Sequence, residues 1–197
     1  MESQSEKMKL AMIYGIYIAV VTIIISLVIW ATGLLETSGL MASMFIGLFN
    51  LTVLTFLLVY FTKRYRDDLL EGSIRYGQAF VFGVMLVVFS SVIGALFSYI
   101  LNKYIDPQYM HRVMTHLQDA TYNMLAKSGL SEDQIEQQMV KFEEKGIPSP
   151  LETLTSTLES GLIGGAIISL ISSAIVKKNS HKEDAFDEAM EDVKTEE

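Results

Sequence analysis

Histidine and carboxylate spacings are where chemistry would first show. His111 and His116 lie five residues apart in a stretch of helical pattern. At 3.6 residues per turn they point about 140° apart. Helical zinc pairs use spacings of three or four instead. His116 and Asp119 do share a face, but two ligands fall short of a zinc set. Both histidines therefore read as solvated polar positions, and His181 has no evident partner. Glu152 and Glu159 are spaced to share a helix face, but nothing beside them supports a hydrolytic pair. No spacing supports a Ser-His-Asp arrangement or a Walker loop. The Gly161 to Gly165 stretch lacks the strand that a dinucleotide fingerprint requires. The chain has no cysteine, which excludes disulfides, thiolate metal sites and cysteine nucleophiles. No catalytic residue, metal ligand set or cofactor site is expected.

The polar groups that remain lie in apolar surroundings. Asn50 sits near the middle of an apolar run, where its amide needs a partner on another helix. Glu159 lies in the end portion of the last apolar run. A charge buried in lipid is costly, so Glu159 is read as snorkelling to the interface or meeting a polar group of the insert, with an ion or proton site as the alternative. The missing mid-membrane acids, bases and histidines argue against a proton-coupled pump.

The elements that position these groups are long apolar segments. Half of the 197 residues are hydrophobic, only 19% are charged, and the mean hydropathy is +0.34. A soluble domain carries about a quarter charged residues. Four runs, about 10–31, 40–61, 79–101 and 153–176, each reach the ~20 residues that a spanning helix needs. The first is longer than the apolar core of a cleaved signal peptide and reads as a retained anchor. Tyr14, Tyr17 and Trp30 suit interfacial belts at its ends. Small residues recur every fourth position in two of the runs: Ser90, Gly94 and Ser98 in the third, and Gly161, Gly165, Ser169 and Ser173 in the fourth. Such stripes allow close backbone approach. A packing seam within the bundle is the leading reading, and a homodimer seam the next.

Between the third and fourth runs lies a polar insert, about 103–150. Asp106-Pro107 reads as a helix start, with Asp as cap and Pro at the first position. Met110, Val113, Leu117 and Met124 form one apolar stripe, and Ile135, Met139 and Phe142 a second. Gly129 fits a left-handed stop, and Ser131 to Gln134 a capping box with Leu130 and Ile135 as a staple. The pattern predicts a helical hairpin that closes on itself and on the span ends, as a cap near Glu159. Gly146, Pro148 and Pro150 end it.

Basic residues set the orientation. Lys7, Lys9, Lys63, Arg64, Arg66, Arg75, Lys177, Lys178 and Lys182 fall on one side of a four-span arrangement. The Glu36 turn and the insert fall on the other. Both termini are thus expected in the cytoplasm, with the insert outside. The tail, about 179–197, carries eight acids against Lys182 and Lys194. It reads as a solubilising segment, with a short stripe (Phe186, Met190, Val193) as an alternative partner helix. The net charge of −8 argues against nucleic-acid binding.

Several of these features occur in a familiar order. They are Tyr65-Arg66-Asp67, Tyr76-Gly77-Gln78-Ala79-Phe80 followed by Gly83, Ile105-Asp106-Pro107, Ser131-Glu132-Asp133-Gln134-Ile135, and Ile168-Ser169-Leu170-Ile171 before Lys177-Lys178. From about Lys7 to Lys178 the chain resembles an uncharacterised membrane-protein family found mainly in Bacteroidota, domain of unknown function 4199. The resemblance implies a bacterial inner-membrane location and supports four spans; it carries no activity and names no catalytic residues. The expected fold is an all-α integral membrane protein, with an extracytoplasmic helical hairpin between helices 3 and 4. The expected role is a non-enzymatic interaction or assembly module, with an oligomeric small transporter or channel subunit as the alternative. The expected partners are the lipid bilayer and either a second copy or other envelope membrane proteins.

Overall fold

A computed structural model describes residues 2–144 and 146–178, with side chains over 4–140 and 146–178. The tail stripe at Phe186, Met190 and Val193, His181 and the Phe142 side chain lie outside the described residues. Four helices are long and apolar enough to cross a membrane: α1 (Glu2–Thr32), α3 (Leu40–Leu69), α4 (Tyr76–Ile100, prolonged by a π-turn at Leu101–Ile105) and α7 (Pro150–Val176). This makes a multi-pass membrane protein. A one-turn helix α2 (Leu34–Thr37) joins the first two. The insert forms α5 (Tyr109–Lys127) and α6 (Glu132–Glu144), separated at Gly129, which adopts the left-handed φ of +78° that the stop requires.

Two of the long helices have a capping reason to begin. At α4, the Arg75 backbone N–H donates to Gln78 Oε1 at 3.1 Å. At α7, the Glu152 N–H donates to Ser149 Oγ (3.3 Å) and the Ser149 N–H to Glu152 Oε2 (2.7 Å), a complete capping box. Pro150, expected to close the insert, is instead the first residue of α7, where its fixed φ and missing N–H cost nothing. Asp106 does not cap α5, which starts three residues later at Tyr109; its carboxylate is engaged elsewhere, as described below.

The helix α4 is central, packed along α7 on one side and α1 on another. In lipid there is little hydrophobic drive between helices, so close fit decides the pairing. The α7 stripe supplies it. A Cβ built on Gly165 would overlap the γ-methyls of Val87, one on Gly161 would lie 2.7 Å from Ser91 Oγ, and one on Gly83 would lie 3.0 Å from Ser169 Oγ. The facing ridge on α4 is therefore Gly83, Val87 and Ser91, not Ser90, Gly94 and Ser98. Ser90 is buried beside that ridge and donates to Val87 O at 3.1 Å. Gly94 has nothing within 4 Å of where a Cβ would stand, because it and Ser98 border a cavity. The ridge was obscured by its middle residue: Val87 is the knob that Gly165 admits. A second close approach sets Gly15 of α1 against Phe89, where a Cβ would come 2.6 Å from Phe89 Cβ.

At the end of the bundle where α1 begins and α7 finishes, three elements are tied together. The rings of Tyr65 (α3) and Phe82 (α4) stack with centroids 3.9 Å apart. Arg66 Nη1 donates to Val176 O at the end of α7 (3.3 Å), where positive charge complements the helix dipole. Ile74 and Lys178 exchange two backbone hydrogen bonds, 2.8 and 3.1 Å. We call this the terminal end, and the opposite one the hairpin end.

The close fit generates a prediction. Gly165→Ala should lower thermal stability in detergent by roughly 1–3 kcal/mol, the usual range for overpacking. Val87→Ala should restore much of it in the double variant, while Gly94→Ala should be nearly neutral. Equal losses from Gly94→Ala and Gly165→Ala in thermal melts would refute the assigned register.

Candidate functional site beneath the helical hairpin

The third span does not end as a regular helix. At Leu101–Ile105 one extra residue enters the turn, closed by a hydrogen bond from Asp106 N–H to Leu101 O at 2.8 Å. Single π-turns of this kind occur often at functional sites. Here the turn leaves Asn102 buried and delivers Asp106 to the junction of three other segments.

Asp106 accepts from Trp30 Nε1 at the end of α1 (3.1 Å) and from Arg112 Nη1 and Nη2 on α5 (3.1 and 2.6 Å). The same guanidinium turns its other edge to Glu36 of α2. Nε donates to Oε2 at 2.7 Å, and Nη2 to Oε1 at 3.0 Å. One planar cation thus grips two carboxylates, the fork geometry that makes arginine–carboxylate pairs directional. One turn further along α5, His116 Nε2 lies 2.6 Å from Ser38 O. A carbonyl oxygen only accepts, so this ring nitrogen carries the proton. Arg112 and His116, four apart on one helix face, fasten α5 to the α1–α3 connection.

The charges are mutually adjusted. Hydrogen bonds from Arg112, with that from Trp30, outweigh desolvation and hold the Asp106 carboxyl down to about 2. Bonds to Asp106 and Glu36 raise the already high Arg112 still further. Burial, followed by the charge of Glu36, lifts the phenol of Tyr109 above its ordinary value, so it stays neutral. Asp106 is ionised at any physiological pH. It is an electrostatic latch, not a proton-transfer group.

The other singled-out residues fall as follows. His111 is exposed, whereas His116 is half-buried and hydrogen-bonded, contrary to its reading as a solvated position. Asp119 points elsewhere, into a cleft of about 690 Å³ between α5 and α6 that Tyr122, Glu132, Ile135 and Glu136 also line. Among the described residues, no group of three or more His, Asp or Glu side chains could hold a metal ion. Glu159 is exposed on α7. Asn50, Gly94 and Ser98 come together on a cavity of about 430 Å³ under the hairpin. At this end α5 packs on α2 and α3, and α6 mainly on α5; Tyr109 and Met110 of α5 and Thr157 of α7 line the same cavity, and the cap expected near Glu159 does not reach that residue. Sequence reasoning missed Arg112 altogether. Its signal was the Arg112-x-x-x-His116 spacing in a helix whose end of the bundle also holds Glu36 and Asp106.

The latch makes a prediction with a built-in reporter, since Trp30 is the sole tryptophan. Asp106 titrates lower when docked than its ordinary value near 3.9, so its contribution is full above pH ~4 and is lost as pH falls toward about 2. Trp30 emission should hold steady from neutral pH to about 4 and then change. In Asp106→Asn the transition should vanish, with the neutral-pH spectrum already resembling the acid form. Identical pH profiles in the two proteins would overturn the latch.

No curated protein and no solved structure matches the chain. A family model described as a protein of unknown function (DUF4199) matches residues 13–178. That range runs from the first span, through the latch, to the Ile74–Lys178 bridge that closes the terminal end. The chain therefore belongs to the DUF4199 family of proteins of unknown function.

Proposed function

We propose that this protein is a non-enzymatic interaction or assembly module of the bacterial inner membrane, with both termini in the cytoplasm and the hairpin on the extracytoplasmic side. The observation that carries the reading is the Arg112 latch to Glu36 and Asp106. Its only evident task is to hold α5 in a fixed pose on the spans. A fixed α5 presents α6 at a set place and angle away from the bilayer. On α6, Glu132, Asp133, Gln134, Glu136, Gln137 and Gln138 are all exposed. This acidic and amide-rich face suits a positively charged surface on another envelope protein or a second copy of this chain. The bilayer covers the rest, since the spans expose large apolar side chains such as Phe45, Phe49, Phe56 and Ile163.

Charge distribution supports the orientation. Lys7, Lys9, Lys63, Arg64, Arg66, Arg75, Lys177 and Lys178 belong to the terminal ends of their spans, in keeping with the positive-inside rule. The α7 stripe offers little to a homodimer, because α4 already occupies it at Gly161 and Gly165. One observation favours a second reading, an oligomeric small transporter or channel subunit: Asn50 borders a cavity between spans. Glu159, the other group assigned to such a path, does not line it.

Two measurements test the proposal. A reporter active only after export, fused after Gly129, should be active; activity restricted to the cytoplasmic form of the reporter would invert the topology. A photocrosslinking amino acid at Gln137 should give one protein adduct of discrete mass in native membranes, lost when Arg112→Ala frees the hairpin. The same reporter at Leu48, on the exposed apolar face of α3, should give none. An adduct indifferent to Arg112→Ala would sink the idea that the latch serves presentation.

A further inference from the structure

Charges at the terminal end are unevenly matched. Arg66 holds Asp67 through Nε at 2.8 Å and Nη2 at 3.2 Å, and Arg64 Nε lies 3.4 Å from Asp68. Glu71 is the remaining acid of this turn. Lys63, Lys177 and Lys178 are all exposed, and their ammonium groups make no hydrogen bond or ion pair among the described residues. They stand close together. Lys63 is one turn before Asp67 on α3. Arg66 Nη1 donates to Val176 O, directly before the two lysines of α7. The paired backbone bonds between Ile74 and Lys178 fix the end of that pair. The charges of Lys63 and Lys178 both act on the Asp67 carboxylate.

Their depth and surroundings restrict the partner. Lys63 follows the apolar run of α3 and Lys177 that of α7, which puts both at the level of the lipid headgroups. Phe49, Phe56 and Lys63 are spaced by seven, and so are Ile163, Leu170 and Lys177; this spacing keeps each set on one face of its helix. The apolar members of both sets are exposed. Each lysine therefore ends an apolar face that acyl chains cover. An ammonium group is a compact charge with three donors, suited to phosphate oxygens. A zwitterionic headgroup brings its own ammonium, which three lysines repel.

We propose that the cluster of Lys63, Lys177 and Lys178 at the α3–α7 junction binds the phosphate of an anionic phospholipid such as phosphatidylglycerol, with its acyl chains along the exposed apolar faces of α3 and α7. Arg66 is a positioning residue here: it neutralises Asp67, the nearest charge that would repel a phosphate, and ties α3 to the end of α7. The placement follows from where the apolar runs stop, so it is independent of which side of the membrane the terminal end faces. The acidic segment 179–197 begins at this cluster and competes by charge. The apolar faces below the lysines favour the lipid.

The test is native mass spectrometry of the full chain, titrated with phosphatidylglycerol or phosphatidylethanolamine of the same acyl chains. Phosphatidylglycerol should bind severalfold more tightly. Lys63→Gln, Lys177→Gln and Lys178→Gln should each lower its affinity about fivefold, the scale of one basic residue at an anionic surface, and leave phosphatidylethanolamine unchanged. Lys127→Gln and Lys141→Gln, which remove the same charge from the insert, should have no effect. Inorganic phosphate in excess should not displace the lipid. Equal affinity for the two lipids, equal losses from the insert variants, or displacement by inorganic phosphate would each overturn the proposal. Preference for phosphatidylglycerol that emerges only after deletion of 179–197 would make that segment the occupant and would overturn it as well. The comparison of the two lipids on the unaltered protein needs no variant to fold.

Discussion

The structure depends on one close contact, the approach of α7 to α4 at Gly165 and Val87. A helix in lipid gains little by hiding apolar surface, since the tails are as apolar as leucine. Its pairing must come from atoms that fit and from polar groups that find partners. Glycine in a helix costs about 1 kcal/mol relative to alanine in water, so a glycine at the tightest point needs a packing reason. The overlap of an added Cβ with the Val87 methyls is that reason. Around it, Ser169, Ser172 and Ser173 are fully buried and return their hydroxyls to the α7 backbone, as with Ser169 Oγ to Gly165 O at 2.8 Å. Small volume and an internally satisfied hydroxyl together let two backbones meet in hydrocarbon.

The latch answers a different problem. Exposed ion pairs contribute little, because water screens them and long side chains lose entropy. Arg112 departs from that case in two respects. Its guanidinium serves Glu36 and Asp106 at once, with side-chain exposures of only 21% and 20% for the two acids. Its fork is also planar, so one ordering cost is shared among several bonds. Trp30 adds a donor from a third segment. Contacts distant in sequence are thereby concentrated on one side chain. The amphipathic helix α5, with a single apolar stripe, is thus held by these polar ties as well as by its packing on α2 and α3.

What could be read in the sequence follows from the range of each signal. Span number and type rest on runs of some twenty residues, and those survive any tertiary detail. The turn at Gly129 and the polarity of the insert are equally local. The α4 ridge was hidden because a small-residue rule finds holes and overlooks knobs, and Val87 is a knob. An aspartate before proline usually is a cap, and nothing local marks Asp106 as an exception. Its diversion to Arg112 depends on the positions of α2 and α5, which no local pattern encodes. His116 looked solvated for the same reason: its partner is the Ser38 carbonyl, a backbone atom with no sequence signature. Several residues that carry the family resemblance sit at these ties, with Tyr65 and Arg66 at the terminal end and Asp106 at the hairpin end.

The two ends of the bundle are built on opposite principles. At the terminal end, stacked rings and the Ile74–Lys178 bridge close the space between α3, α4 and α7. At the hairpin end the helices are held apart. The ridge on α4 gives way to Gly94 and Ser98, which border open space, and α3 exposes Met41, Met44, Phe45 and Leu48 on its outer side. A bundle held only by packing would close such a gap, because interiors tolerate few voids larger than water. Here the gap is propped by the latch. Arg112 fixes α5 to α2 and to the end of α4, so the roof stands on the rims of the cavity and does not sink into it. The π-turn belongs to both: it sends Asp106 up to the latch and buries Asn102 at the cavity's edge, its Nδ2 donating to Ser98 O. Any change that loosens the ion pairs therefore bears on the cavity, and filling the cavity bears on the pose of the hairpin.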